Sequence, residues 1–151
     1  MRITLSLLFC AATWLLSGCE HSSQPALNMV GTYGVVDEQT GQVAPFSKIE
    51  ASKDEHGIYL LYEYGNGGWH QPKKALADTD TPLDVKPFTK ADLEKELRHP
   101  VDVDVVGFQV PGFAIVHVPA GWSDHVANHF FTTKTGYFAL TLLGPVALVR
   151  L

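Results

Sequence analysis

The sequence is poor in cysteine: it has two, Cys10 and Cys19, in 151 residues. Cys10 lies inside an apolar stretch near the start of the chain, from Ile3 to Leu16. Without that stretch the chain keeps one cysteine and cannot form an intramolecular disulfide. We therefore exclude a disulfide-stapled scaffold and expect the domain to be stabilised by its hydrophobic core alone.

The apolar stretch at the start of the chain is too short to cross a bilayer, which needs about 20 apolar residues. It follows Arg2, runs from Ile3 to Leu16, and is closed by the small residues Ser17 and Gly18. A charged start, an apolar centre and a small-residue exit are the layout of an export signal. We therefore predict a signal peptide over residues 1–18.

The four residues Leu16-Ser17-Gly18-Cys19 resemble the lipobox of bacterial lipoproteins. The resemblance implies that a peptidase cuts between Gly18 and Cys19 after a diacylglyceryl group has been attached to the cysteine sulfur. It also implies that Cys19 becomes a triacylated N-terminus, which suits stable anchoring because one acyl chain holds a protein only marginally. The alternatives are an ordinary cleaved secretory signal and a retained membrane anchor.

Residues 19–28 are predicted to be the lipidated N-terminus and a polar, flexible tether. A flexible chain of about nine residues spans on the order of 15–18 Å, so we expect the domain to stay close to the bilayer. In the sorting pattern that the lipobox resemblance implies, aspartate after the cysteine favours the inner membrane, and this chain has Glu20. We therefore expect a protein of the cell envelope that faces the periplasm from the outer membrane rather than the inner membrane.

The sequence has no cluster of basic residues. It contains 11 Lys and Arg against 16 Asp and Glu, which gives a formal net charge of −5, and the basic residues are scattered. A nucleic-acid-binding protein needs a basic patch or stripe to neutralise phosphates. We therefore predict no nucleic-acid partner. The acidic balance is compatible with a basic protein partner and is also usual for a soluble domain.

Residues 29–151 predict a single globular domain, which is large enough to bury a real core. Alternating apolar and polar residues between turn-forming residues predict about eight short strands. The predicted strands are 31–36, 43–52, 58–64, 101–105, 113–118, 130–133, 137–143 and 146–151. We expect a mainly β or α+β domain, with antiparallel strands in a small sandwich or a partly closed barrel.

One short helix is predicted over residues 90–98. Thr89 is a suitable N-cap, Asp92 three residues later makes a variant of the capping box, and Pro100 ends the helix. The preceding segment, residues 70–88, is rich in proline and aspartate and predicts a long surface loop.

No set of residues matches the pattern of a catalytic site. There is no cysteine nucleophile after lipidation, no Gly-x-Ser-x-Gly motif and no phosphate-binding glycine loop that leads into a helix. Asp102 and Asp104 have the spacing of a carboxylate pair, but their alternation with valines is typical of a solvated strand face. We therefore predict a protein that is not an enzyme, with no catalytic residues and no cofactor.

The densest group of reactive side chains is His117, Asp124, His125 and His129. On a helix, the spacing of His125 and His129 would place both imidazoles on one face, as in zinc hydrolases of the zincin type. That pattern needs a glutamate after the first histidine, and this chain has Val126. We therefore predict no metal site. A small metal-dependent hydrolase that uses His117, His125 and His129 is a third interpretation of the function.

Two loops present a tryptophan directly after a glycine. Tryptophan contributes strongly to binding energy at interfaces, and loops on a β scaffold commonly carry such anchors. The predicted partner-binding residues are Trp69, His70, Trp122, Asp124 and His125. The alternative is that both tryptophans fold back and plug the ends of the β domain.

In its lipobox, size, acidic balance, β-rich domain and lack of a catalytic set, the chain resembles the small bacterial lipoproteins that block hydrolases in the periplasm. These are lysozyme inhibitors and immunity proteins. The resemblance implies a membrane-anchored binding protein whose partner is a protein, namely a toxin or hydrolase that attacks the cell envelope. The alternative function is a structural or assembly accessory of the envelope.

Overall fold

The computed structural model describes residues 27–37, 40–55, 57–63, 68–70, 83–126 and 129–151. The predicted signal peptide, lipobox and most of the tether lie outside these residues. The described chain forms eleven β-strands, one α-helix and a short 3₁₀ turn. The strands are β1 (Gly31–Val36), β2 (Val43–Asp54), β3 (Gly57–Glu63), β4 (Trp69–His70), β5 (Lys86–Phe88), β6 (Val106–Val110), β7 (Phe113–His117), β8 (Ser123–Val126), β9 (His129–Thr132), β10 (Tyr137–Thr141) and β11 (Gly144–Arg150).

Nine of these strands form one antiparallel sheet in the order β4-β3-β2-β1-β11-β10-β7-β6-β5. The sheet curls into a half-barrel. The remaining strands, β8 and β9, pair with each other in a separate hairpin between β7 and β10. The predicted fold, a mainly β, antiparallel and partly closed barrel with one short helix, is confirmed.

One face of the sheet carries what we call the concave cluster. Tyr62 on β3 and Phe113 on β7 lie on this face, with ring centroids 5.5 Å apart, although four strands separate β3 from β7 in the sheet. Side chains on strands this far apart can meet only if the sheet curls and both lie on its inner side. The buried members of the concave cluster are Met29, Tyr33, Ile49, Ala51, Leu60, Phe108, Val110, Ile115, Ala139 and Leu148.

The opposite face carries what we call the convex cluster. Here the sheet is covered over β7 and β10 by the helix α1 (Lys90–Leu97), the segment that follows it and the β8–β9 hairpin. Successive residues of a strand point to opposite faces, so β7 and β10 contribute alternately to both clusters. The buried members of the convex cluster are Phe88, Leu93, Leu97, Val101, Ala114, Val116, Val118, Val126, Phe131 and Phe138.

Helix α1 begins where the sequence predicts. Thr89 is the N-cap: its hydroxyl accepts from the backbone N–H of Asp92, and the Asp92 carboxylate accepts from the backbone N–H of Thr89 at 2.8 Å. The helix ends at Leu97, one residue earlier than predicted, because Arg98 takes the left-handed conformation with φ 64°. Among the described residues, no helix has the length and apolarity that crossing a membrane requires.

The predicted strand over residues 101–105 is wrong. The segment is irregular and lies between α1 and β6. Val101 and Val103 pack into the convex cluster, whereas Asp102 and Asp104 are exposed. The alternation in the sequence therefore reports a buried side and a solvated side, but the segment lies over the sheet instead of pairing within it.

The turn between β10 and β11 also differs from the prediction. It consists of Leu142 and Leu143, whereas Gly144 and Pro145, the predicted turn, begin β11. The hydroxyl of Thr141 donates to the Gly144 carbonyl at 2.9 Å and accepts from the Leu143 N–H at 3.1 Å. These two bonds close the turn two residues earlier than predicted and leave both leucines outside the sheet.

Three further segments hold more strand than predicted. Strand β2 extends two residues beyond the predicted end, to Asp54, and its register with β1 shifts between Val43 and Lys48, where Pro45 lies. The two ends of the loop predicted over 70–88 belong to strands: His70 ends β4, and Lys86–Phe88 form β5, while residues 71–82 lie outside the described chain. Strand β8 occupies a predicted loop, because it finds its partner in β9.

Candidate binding site

The β8–β9 hairpin is anchored to the sheet by backbone hydrogen bonds at its base. The Val118 N–H donates to the Gly136 carbonyl at 2.9 Å, and the Gly121 N–H donates to the Thr133 carbonyl at 2.8 Å. Gly136 has φ 83°, and a Cβ at this position would lie 2.4 Å from the Val118 oxygen. Only glycine permits this close approach. The backbone therefore fixes the position of the hairpin relative to the sheet.

Trp122 precedes β8 and packs onto the domain. Its half-buried indole stacks on the ring of Phe138, with centroids 5.7 Å apart and planes inclined by 17°. Its backbone N–H donates to the Pro119 carbonyl and its carbonyl accepts from the Thr133 N–H. This packing matches the alternative in which the tryptophan folds back. The role of Trp122 in partner binding stays a prediction.

Asp124 ties the hairpin to the chain that follows α1. Its Oδ1 lies 3.0 Å from Nε2 of His99 and accepts from the His125 N–H at 2.6 Å. The other ring nitrogen of His99, Nδ1, lies 3.0 Å from the Pro100 carbonyl oxygen. Both ring nitrogens therefore face acceptors, and only the imidazolium can donate to both. The Pro100 carbonyl, and less strongly the Asp124 carboxylate, raise the pKa of His99 above its usual range.

His125 and Phe130 form an exposed aromatic pair on the hairpin. They lie opposite each other on β8 and β9, and their rings meet edge to face with centroids 5.4 Å apart. Phe130 is 69% exposed, and His125 is also exposed. The neighbouring Phe131 points the other way and is buried in the convex cluster. The hairpin therefore buries one aromatic side chain and presents the next to solvent.

Trp69 and His70 form β4, an edge strand of the sheet. They lie opposite Glu63 and Tyr62 of β3, and Trp69 is 39% exposed. The structure therefore places the two predicted tryptophan loops on separate elements, one at the sheet edge and one at the base of the hairpin.

The histidines of the metal interpretation do not share a helix. His125 lies on β8 opposite Phe130, and His129 lies on β9 opposite Val126, so the helical spacing argument for a zinc site is wrong. His117 lies on β7, where its ring meets that of Tyr137 at 4.5 Å and burial lowers its pKa. The described part of the chain contains no group of three or more His, Cys, Asp or Glu side chains that could hold a metal ion.

A groove of about 670 Å³ runs beside the hairpin. It lies between β9 and the part of the convex face formed by β1, β2 and β11, which α1 does not cover. Its volume falls within the range of small-molecule sites, roughly 300–1,000 Å³. The residues that line it are Val36, Asp37, Gly41, Val43, Phe130, Phe131, Thr132, Lys134, Thr135, Ala147, Leu148, Val149 and Leu151.

A second exposed apolar feature lies at the β10–β11 turn. Leu142 is 89% exposed and Leu143 is 97% exposed. Strand β11 leads from this turn to Arg150, whose guanidinium donates to the carbonyls of Asn28 and Val30 at the start of the described chain. The turn therefore lies at the end of the sheet opposite to the point where the chain enters the domain.

The chain matches no family model, no curated protein and no solved structure. Sequence reasoning missed two residues of the site, His99 and Phe130. His99 lies 25 residues from Asp124, so only the tertiary fold brings the two together. The sequence predicts a strand at Phe130, but it contains no local signal that shows which of Phe130 and Phe131 faces solvent.

Proposed function

We propose that the protein is a lipid-anchored binding protein that faces the periplasm and neutralises an envelope hydrolase, as an inhibitor or immunity protein. The observation that supports this proposal is Phe130, a large aromatic side chain that is 69% exposed on a hairpin fixed to the sheet. The cores of protein interfaces are enriched in aromatic side chains, phenylalanine included, and a rigid support lowers the entropy lost on binding.

Three contacts hold the hairpin in place before any partner arrives. Trp122 stacks on Phe138, Asp124 contacts His99, and the hairpin base is closed by backbone hydrogen bonds. Of the predicted partner-binding residues, Trp122 and Asp124 act in this proposal as supports, whereas His125 contributes its exposed ring beside Phe130. Trp69 and His70 form a separate exposed site at the sheet edge.

The anchor in this proposal is Cys19. Labelling of cells with radioactive palmitate should mark the full chain and should not mark Cys19→Ser. The Cys10→Ser variant is the matched control, because Cys10 lies inside the apolar stretch, before the lipobox. Equal labelling of the Cys19→Ser variant would overturn the anchor.

Partner binding is tested in cells that carry the full chain and are challenged with periplasm-directed hydrolases of three kinds. These are a muramidase, a peptidoglycan amidase and a phospholipase, and lysis is measured by the fall in optical density. We expect protection against one of them. With Phe130→Ser, the amount of protein needed for equal protection should rise about 30-fold, because an interface hot spot contributes about 2 kcal/mol or more.

Leu143→Ser is the control for this experiment. Leu143 is equally apolar and more exposed than Phe130, but it lies at the β10–β11 turn, away from the hairpin. Protection should survive this substitution. Lack of protection against all three hydrolases, or equal loss with both variants, would contradict the proposal.

A further inference from the structure

We propose that the groove beside the β8–β9 hairpin binds a long-chain fatty acid. The groove walls are apolar on both sides. Val36 and Val43 on β1 and β2, with Ala147 and Val149 on β11, form the sheet side, and Phe131 belongs to the hairpin side. Apolar surface of this kind gains free energy when a hydrocarbon chain displaces water from it.

The groove exists because α1 covers only part of the convex face. The helix packs over β7 and β10 through Leu93 and Leu97, which leaves the neighbouring strip of β11 and β1 beside the hairpin. Small residues on this strip leave space for the groove. Ala147 lines its floor, and Gly34 lets Val43 pack close to the sheet, because a Cβ at Gly34 would come 2.5 Å from a methyl carbon of Val43. The lining extends along β11 from Ala147 to Leu151, about 13 Å at the usual rise per residue. A stretch of this length holds only part of an extended long-chain fatty acid, so the rest of the chain bends within the groove or extends past its lining.

The charges of the groove lie toward opposite ends. Lys134 precedes β10 and is followed by Thr135, whose hydroxyl donates to the Leu148 carbonyl. Asp37 follows the end of β1, beyond the pair formed by Val35 and Leu148. An anionic group is attracted at the Lys134 end and repelled at the Asp37 end. Lys134 forms no ion pair within the described chain, so its ammonium is available to a carboxylate.

The polar groups of the groove favour a hydrocarbon chain over a peptide. A peptide brings backbone N–H and C=O groups that need partners when they are buried, and burying them without partners costs several kcal/mol. On the sheet side the walls offer no strand edge, because β1 and β11 each pair with a strand on both sides, and the Thr135 hydroxyl is already bonded to the Leu148 carbonyl. On the hairpin side the outer edge of β9 pairs with no strand of the described chain, so binding of a peptide there is an outcome that the third arm below detects. One apolar chain with one anionic head matches an apolar wall with a single cation at one end.

The test uses the full chain in isolated cell envelopes, where no coenzyme A or ATP is added to activate fatty acids. The probe is a 16-carbon fatty acid that carries a diazirine, and mass spectrometry locates the adducts that require ultraviolet light. We expect adducts on β9 and β11, with unlabelled palmitate in competition. Labelling spread evenly over the domain, or concentrated at Leu142 and Leu143, would show adsorption to exposed apolar surface and overturn the proposal.

A second arm tests the role of charge. Lys134→Gln should lower labelling by the acid about three- to fivefold at sub-saturating probe, and should leave labelling by the corresponding fatty alcohol unchanged. Lys95→Gln, an exposed lysine in the last turn of α1, is the matched control and should change neither. Both variants lie on the surface, so folding does not limit the comparison. Equal effects of the two variants would overturn the head-group assignment.

A third arm identifies what occupies the groove in living cells. A photoreactive amino acid replaces Val149 in the full chain, and the mass of its adduct is measured. An adduct with the mass of a fatty acid supports the proposal. An adduct with another polypeptide, or with a second copy of this chain, assigns the groove to a protein and overturns it.

Discussion

The two faces of the sheet bury apolar side chains in different ways. The concave cluster is built mainly by the strands themselves, which curl until Tyr62 on β3 meets Phe113 on β7. The convex cluster depends on pieces added to the sheet: α1, the irregular segment after it and the β8–β9 hairpin. The difference separates roles, because the hairpin, the His99–Asp124 contact and the groove all lie on the convex side.

The largest expected effect comes from deleting the central aromatic side chain of either cluster. Phe108 in the concave cluster and Phe138 in the convex cluster are both fully buried. Each substitution to alanine should lower the free energy of unfolding by about 3–5 kcal/mol, measured by urea unfolding. The distinguishing measurement is hydrogen exchange in β8 and β9. It should accelerate more in Phe138→Ala, because Phe138 contacts both Trp122 and Phe131.

Equal acceleration of exchange in the two variants would contradict the division into two clusters. It would mean that the hairpin depends on the sheet as a whole and not on its contacts with the convex face.

The fold could be predicted as far as local signals reach. The bounds of β1 match the prediction, and α1 begins at the predicted residue, because turn residues, a capping pair and strand alternation act over a few positions. The order of the strands could not be predicted, since β1 pairs with β11 from the far end of the chain. Residues 101–105 show the same limit: alternation indicates a buried side and does not specify a partner strand.

The candidate site could be predicted only in part. The sequence drew attention to the segment around Trp122 and His125, which belongs to the hairpin and its base. It could not show that Phe130 faces solvent, because that depends on the register with His125 and on which side of the hairpin rests on the sheet. The role of His99 could not be predicted, because its contact with Asp124 joins residues that lie 25 positions apart in the sequence.

A smaller effect distinguishes the two aromatic side chains at either end of the hairpin. Trp122→Ala should lower the free energy of unfolding by about 2 kcal/mol, because a half-buried indole leaves its stack on Phe138. Phe130→Ala should change it by no more than about 0.5 kcal/mol, because that ring is 69% exposed. Urea unfolding measures both. Comparable losses would show that Phe130 supports the fold and would weaken its role in partner binding.

The N-cap of α1 should matter less. Thr89→Ala removes the hydroxyl that donates to the Asp92 carboxylate at 2.7 Å and accepts from the Asp92 N–H at 3.4 Å, and it should lower the free energy of unfolding by about 1 kcal/mol. Thr40→Ala is the control, because the Thr40 hydroxyl accepts one bond of 3.3 Å in an exposed turn and does not cap a helix. Hydrogen exchange should accelerate in α1 and not in β1 or β2. Acceleration in those strands would show that the convex cover and the concave cluster unfold as one unit.

The smallest effect is a dependence on pH that has opposite signs on the two faces. The pKa of His99 is raised, first by the Pro100 carbonyl and then by Asp124. These contacts therefore stabilise the folded state fully at pH values below the unfolded pKa of about 6.5, and their stabilisation is lost as pH rises through the raised pKa. The pKa of His117 is lowered by burial, so its neutral form is favoured in the fold and stability falls as pH drops through 6.5 toward the lowered pKa.

Melting temperatures at pH 5 and pH 8.5 measure the two signs. His99→Gln should be destabilised relative to the native chain at pH 5 and nearly equal to it at pH 8.5. Glutamine at position 117, by contrast, removes a group that resists protonation, so His117→Gln should fare better relative to the native chain at pH 5 than at pH 8.5. If His99→Gln also fared better relative to the native chain at pH 5 than at pH 8.5, His99 would not act as an imidazolium between Pro100 and Asp124; if His117→Gln fared worse at pH 5, burial would not disfavour its charged form. The contacts left to hold the hairpin would then be those of Trp122 and Phe131 with Phe138, and the backbone bonds at its base.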